Sequence, residues 1–205
     1  MTTVILIRHG ETLWNQERRY QGQLDSPLTE QGLRQARLTA RYLQQFPLDA
    51  VYSSDLARAA RTAEIIAKSH GLAIETDPRL REMSFGVWEG LTRHEVVEKY
   101  PEVYYTRYHD ILTTRVPGGE LPAEVAQRFR TFLKERLPGH CGKTIALVSH
   151  GACLRLALAE FLEMPLRKSY CLRLSNAGVS ILTYTGRKDG CLWEIKCINS
   201  TGHLV

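Results

Sequence analysis

Short apolar runs alternate with amphipathic stretches along most of the chain, and this alternation limits its fold more than any other feature. Thr2 to Ile7 reads as a buried strand. Thr29 can cap a helix that carries Leu33, Ala36, Ala40 and Leu43 on one face and ends before Pro47. Ala50 to Tyr52 is a short strand, after which Ser53 or Ser54 is expected to cap a helix running to about His70, with Gly71 at its C-terminal end. Ala73 to Thr76 is a weaker strand. Thr144 to Val148 is a clear buried strand, followed by an apolar helix over Ala152 to Leu162. Val179 to Tyr184 and Leu192 to Cys197 close the chain as a strand pair, with a hairpin expected through Gly186 to Gly190. Strand-helix alternation that ends in a hairpin implies a three-layer α/β/α sandwich. Its sheet is expected to be mixed and mostly parallel, of about six strands, with an antiparallel strand at one edge.

At 205 residues, with no repeat or low-complexity linker, the chain reads as a single domain spanning 1–205. The stretch from about 91 to 139 is helical and irregular, with helices expected over Thr92 to Tyr100 and Leu121 to Leu137. No apolar run has the length of a membrane span, and Val4 to Ile7 is too short for a secretory leader, so a cytoplasmic protein is expected. Five scattered cysteines, without CxxC or finger spacing, fit reduced thiols rather than a disulfide framework. The net charge of +5 is spread along the chain, which argues against a nucleic-acid surface and suits attraction of small anions. Exposed strand edges permit a homodimer without requiring one.

Three junctions after strands carry the residues with chemical potential: Arg8-His9-Gly10, Asp55-Leu56-Ala57-Arg58 and Ser149-His150-Gly151. Ligands of open α/β sheets bind at the carboxyl ends of parallel strands. If these strands are neighbours, two histidines and two arginines meet there. The helix after His150 would add free backbone N–H groups at its positive end, and Gly10 and Gly151 would let backbone approach a ligand closely. An arginine after a strand is often a surface charge, and a lone histidine is usually structural. Their joint placement points instead to a pocket for a dianion, with phosphate the natural fit to guanidinium. A neutral imidazole can attack phosphorus, with arginines and a histidine around the oxygens, and Glu82, in Leu80-Arg81-Glu82, is the candidate general acid, although a loop carboxylate by itself reads first as an exposed charge.

The segment Arg8-His9-Gly10-Glu11-Thr12-Leu13-Trp14-Asn15 resembles the signature of the histidine phosphatase superfamily, which includes cofactor-dependent phosphoglycerate mutases. The likeness continues through Gln21-Gly22, Leu28 to Gly32, Ser53 to Ala59, Glu82, Gly86 to Gly90, Gly118-Gly119-Glu120 and Val148 to Gly151. It implies a phosphoglycerate mutase-like fold, with the 91–139 stretch as a cap-like insertion. It also implies His9 as the phosphorylated nucleophile and Glu82 as proton donor and later base. Arg8, Arg58 and His150 would then hold the phosphoryl group, with Asn15, Gln21, Gly22 and Gly151 lining the pocket. The resemblance calls for no metal and no other cofactor, and the seven histidines show no HExxH or other ligand spacing.

Mutases of the family carry Arg-His-Tyr-Gly after the catalytic glutamate and Trp after the glycine matching Gly22. This chain has Met83-Ser84-Phe85-Gly86 and Gln23, and it is short. By that analogy the reading is a phosphomonoesterase of the phosphatase branch acting on a small phosphorylated metabolite. A bisphosphoglycerate-dependent phosphoglycerate mutase is the alternative, and a non-catalytic phosphate-binding protein of the same fold is the second. Tyr100, Tyr104 and Tyr108 recur at helical spacing. They read either as a stripe packed on the domain or as part of a cap that contacts substrate.

Overall fold

A computed structural model describes residues 1–186 and 192–205. Six strands, β1 (Thr2–Arg8), β2 (Ala50–Ser53), β3 (Ile74–Thr76), β4 (Thr144–Ser149), β5 (Val179–Tyr184) and β6 (Trp193–Ser200), form one sheet in the order β3-β2-β4-β1-β5-β6. The pairings from β3 to β1 are parallel, and those of β5 with β1 and β6 are antiparallel. The sheet is therefore mixed and mostly parallel, as the alternation of strands and helices implied. The reversed strand is β5, one place in from the edge, because the β5–β6 pair folds back on itself. The residues expected to turn that hairpin fall mostly on 187–191, outside the described residues.

The central strands are apolar on both sides, which explains the continuous hydrophobic runs in their sequence. Val4 and Leu6 of β1 and Ile145 and Leu147 of β4 face one layer, built on α6 (Pro122–Arg136) and α7 (Gly151–Phe161). The first helix, α1 (Leu13–Gln16), is a single turn after β1; Ile5, Ile7, Ala146 and Val148 face the other layer, built on α2 (Glu30–Leu43) and α3 (Ala57–Lys68). Thr29 caps α2 as expected, its hydroxyl accepting the Gly32 N–H at 2.9 Å. Gly71, beyond the end of α3, has φ +66°, a conformation that glycine adopts without penalty. The α3 start differs from expectation. Ser53 is still in β2, and the Ser54 hydroxyl accepts from the Leu56 N–H, ahead of the helix. The first free amides of α3 go instead to the distant Asp25 carboxylate, from Ala57 N–H at 2.8 Å and Arg58 N–H at 3.4 Å.

Between β3 and β4 lie α4 (Arg93–Lys99), α5 (Pro101–His109) and α6. The tyrosine spacing spans a break rather than one helix, because Pro101 starts α5 and Tyr100 sits at the junction. Tyr100 and Tyr104 pack with Trp88, Val96 and Val116 in a small core of their own, whereas Tyr105 and Tyr108 are exposed. No helix among the described residues is long and apolar enough to cross a membrane.

Backbone packing accounts for the missing side chain at Gly10. A Cβ there would stand 2.5 Å from the Gly32 carbonyl oxygen. That oxygen cannot swing away, so Gly10→Ala is expected to cost about 1–3 kcal/mol, read as a lowered urea midpoint. Gly139→Ala, where nothing lies within 4 Å, serves as the neutral control.

Candidate active site

In the parallel ladder of β1 and β4, Arg8 lies opposite Ser149. The next residues on the two strands, His9 and His150, therefore leave the sheet side by side. The His9 N–H donates to the Ser149 carbonyl at 3.0 Å, and the two imidazole centroids are 5.1 Å apart. His9 Nδ1 lies 2.7 Å from the Gly10 carbonyl oxygen. A carbonyl can only accept, so Nδ1 carries the proton and Nε2 keeps its lone pair. Both rings are buried. Burial first, and then the neighbouring Arg58 charge, push both imidazoles well below their usual pKa of 6.5. Two neutral histidines therefore stand among guanidinium groups.

Arg58 enters from the first turn of α3. Its Nη1 donates to the Leu24 carbonyl at 2.7 Å and to Asp25 at 2.9 Å, and its Nη2 to the Gly22 carbonyl at 2.7 Å. Arg8 donates from Nη1 to the Leu174 carbonyl at 2.7 Å. Desolvation lowers the pKa of both guanidinium groups, that of Arg8 to about 10. Several buried atoms here have no partner among the described residues: Nε of Arg8, Nε of Arg58, Oε1 of Gln21 and both ring nitrogens of His150. Buried polar atoms are seldom left unpaired, and each one costs about 1–3 kcal/mol when it is. Such a concentration in one place is the mark of a site built for a polar, anion-bearing ligand.

Glu82 holds the helix end that the sequence reading left free. Its Oε1 accepts from the N–H groups of Met83 at 2.9 Å, Ala152 at 3.1 Å and Cys153 at 3.0 Å. Oε2 shares the Ala152 N–H at 3.1 Å. The positive end of α7 thus serves this carboxylate, and guanidinium and imidazole groups are left to meet an incoming anion. A Cβ at Gly151 would make only ordinary contacts, 3.4 Å from Arg8 Nε and 3.8 Å from Glu82 Oε2, which places Gly151 beside both the acid and the cation.

The remaining expected residues are set by loops. Asn15 Oδ1 accepts from the Thr12 N–H at 3.1 Å and from Asn176 Nδ2 at 3.0 Å, and that same amide also donates to the His9 carbonyl at 3.2 Å. Gln21 is buried beside Gly22, whose φ of +54° bends the loop so that its carbonyl reaches Arg58. Expected residues from β1, β4, α3 and the loop after β3 are thus gathered at one end of the sheet.

Other contributors escaped the sequence reading. Arg128, half-buried on α6, donates to the Glu82 carbonyl at 2.9 Å and pairs with Glu120 at 3.0 Å. Glu120 also accepts from the Ser84 N–H at 2.8 Å, fixing the segment after Glu82 from the far side. Arg128 was legible as a charge among the apolar positions Val125, Phe129 and Phe132 of one helix face. Asp25 and Asn176 sit in loops and give no such signal.

The profile of the histidine phosphatase superfamily (branch 1) matches residues 4–201. The chain belongs to this superfamily. A protein of Yersinia pestis (strain Pestoides F) named probable phosphoglycerate mutase GpmB is 39% identical over 207 residues, covering 100% of this chain and 95% of that protein. Among solved structures, Bacillus stearothermophilus YhfR superposes with a TM-score of 0.92 at 33% identity, covering 100% of both chains. A mycobacterial glucosyl-3-phosphoglycerate phosphatase superposes with a TM-score of 0.85 at 30% identity, covering 97% of this chain and 99% of that one. Among the described residues, no three His, Cys, Asp or Glu side chains gather as a metal-holding group.

Because the folded chain holds His9 and His150 neutral while the unfolded chain titrates near 6.5, unfolding takes up protons below that pH. Stability conferred by these sites is present above about pH 6.5 and declines as the pH falls below it. The urea midpoint is expected to drop between about pH 7.5 and pH 5.5, and to drop less in His150→Gln.

Proposed function

We propose that the chain is a metal-independent phosphomonoesterase that acts on a small phosphorylated metabolite in the cytoplasm through a phosphohistidine on His9. The observation that carries this reading is the Nδ1–H bond to the Gly10 carbonyl at 2.7 Å, which leaves Nε2 unprotonated beside Arg8, Arg58 and His150. In the proposed reaction the Nε2 lone pair attacks phosphorus as the bond to the ester oxygen breaks. The leaving oxygen takes a proton from Glu82. Oε2, the oxygen with fewer backbone donors, is the one beside Gly151. Arg8, Arg58 and His150 stabilise the charge spread over the phosphoryl oxygens, with Asn15, Gln21 and the Gly22 and Gly151 backbones lining the site. Glu82, now ionised, draws a proton from water, which attacks the phosphohistidine and returns His9 neutral with release of inorganic phosphate.

Water is favoured as the acceptor by the segment after Glu82. Ser84 and Phe85 are tied to Glu89, and Gln23 N–H donates to the same carboxylate, so the residues directly after the acid bring no charged side chain of their own, unlike the Arg-His pair of the mutases. Transfer to a phosphoglycerate hydroxyl is the second reading, favoured by the name of the Yersinia relative. Rates of phosphate release and of interconversion of 3- and 2-phosphoglycerate separate the two.

Incubation with a ³²P-labelled phosphomonoester is expected to give acid-labile label on the wild type and none on His9→Ala, whereas label retained by the variant removes the mechanism. Glu82→Gln is expected to lower kcat by about 10²–10⁴-fold, and chelators to leave turnover unchanged.

A further inference from the structure

Two arginines among the described residues are buried almost completely, Arg58 and Arg107. Arg58 is paired with Asp25, but Arg107, on α5, has no carboxylate within ion-pair distance among the described residues. Its Nη1 donates to the Thr114 carbonyl, its Nη2 faces the Met83 sulfur at 3.8 Å, and the Tyr170 phenol lies beside it. A thioether and a neutral phenol are weak partners for a full charge, and burial lowers the proton affinity of the group. A second cation lies over the Tyr170 ring. The Arg155 guanidinium carbon sits 4.9 Å from the ring centroid, and Arg155 too makes no ion pair among the described residues.

This wall adjoins the phosphoryl pocket at both ends. Arg155 is near enough for its charge to act on Arg8, and Met83, which faces Arg107, directly follows Glu82. Glu82 is the carboxylate whose charge acts on Tyr170, and it is committed to the amides of α7. Tyr170 itself is 42% exposed, so the wall opens outward. Two cations against one phenol, with no counter-ion among the described residues, are destabilising until an anion joins them.

We propose that Arg107, Tyr170 and Arg155 form a second anion site beside the phosphoryl pocket, so that the preferred substrates are phosphomonoesters bearing a further carboxylate or phosphate. The proposal rests on the phosphomonoesterase reading for the position of the first phosphoryl group at His9. It assigns selectivity to charge on α5, α7 and the Leu166–Cys171 turn, not to the tyrosines of the insertion.

Binding separates the two ideas, because it requires no turnover. On the His9→Ala protein, calorimetry compares 3-phosphoglycerate and a sugar bisphosphate with glycerol 1-phosphate, which has no second anion. At least one of the first two is expected to bind about tenfold or more tightly, with a margin that shrinks as salt is raised. Which of them leads tells whether carboxylate or phosphate fills the site. The margin is expected to vanish in Arg107→Met and in Arg155→Met. If loss of the Thr114 contact unfolds the first variant, Arg155→Met decides alone. Equal affinity for all three ligands, or a margin that survives Arg155→Met, overturns the proposal even if His9 is phosphorylated in the wild type. A margin that is lost as expected, in a protein that hydrolyses none of the esters, upholds the site and removes the phosphatase reading.

Discussion

The ladder between β1 and β4 is the constraint from which the site follows. Six consecutive residue pairs, from Thr3 and Thr144 to Arg8 and Ser149, hold the two strands in parallel. A shift by one residue would turn every apolar side chain to the wrong layer, so burial on both faces locks the register. With the register locked, the first residues past the strands have no choice but to meet. His9 and His150 are neighbours because Ile5, Ile7, Ala146 and Val148 must face α2 and α3 while Val4, Leu6, Ile145 and Leu147 must face α6 and α7. The position of the chemistry is thus a by-product of core packing, carried by residues that never touch a ligand.

Charge is then arranged with economy. Burial keeps the imidazoles neutral, and nearby guanidinium groups reinforce it. Arg58 is held by three protein acceptors, so its direction is set before any ligand arrives. Preorganised donors of this kind need no rearrangement when negative charge develops, which is where such sites gain over water. Glu82, placed in this positive surrounding, is kept there by backbone amides and by the Arg128 contact to its carbonyl.

Much of this was legible beforehand, and the failures have local causes. Period and apolar content located the six strands of the described residues; the inner ones, buried on both sides, write continuous apolar runs, and the edge strands β3 and β6 show weaker patterns. Arg8, His9, Arg58 and His150 were legible as a group because each follows a strand, and strand ends converge. Asp25 was not, since its role at the start of α3 depends on a contact across 32 positions that no local pattern records. The free amides of α7 were misjudged for the same reason, because nothing near His150 in the chain announces that Glu82 will occupy them. The tyrosine spacing misled where Pro101 breaks the helix, and the buried charge of Arg107 lay unnoticed between the aromatic residues.

The seat of Glu82 has one further consequence, for how the chain tolerates change. Its carboxyl is held by the N–H groups of residues 83, 152 and 153, whose side chains take no part in those bonds. Every amino acid except proline supplies the same N–H. Single replacements at these positions leave the seat intact as long as the core accepts their volume. The acid is therefore mounted on the one part of the molecule that the genetic code can hardly edit, and sequence at Met83, Ala152 and Cys153 is free to follow packing while the proton donor stays where it is.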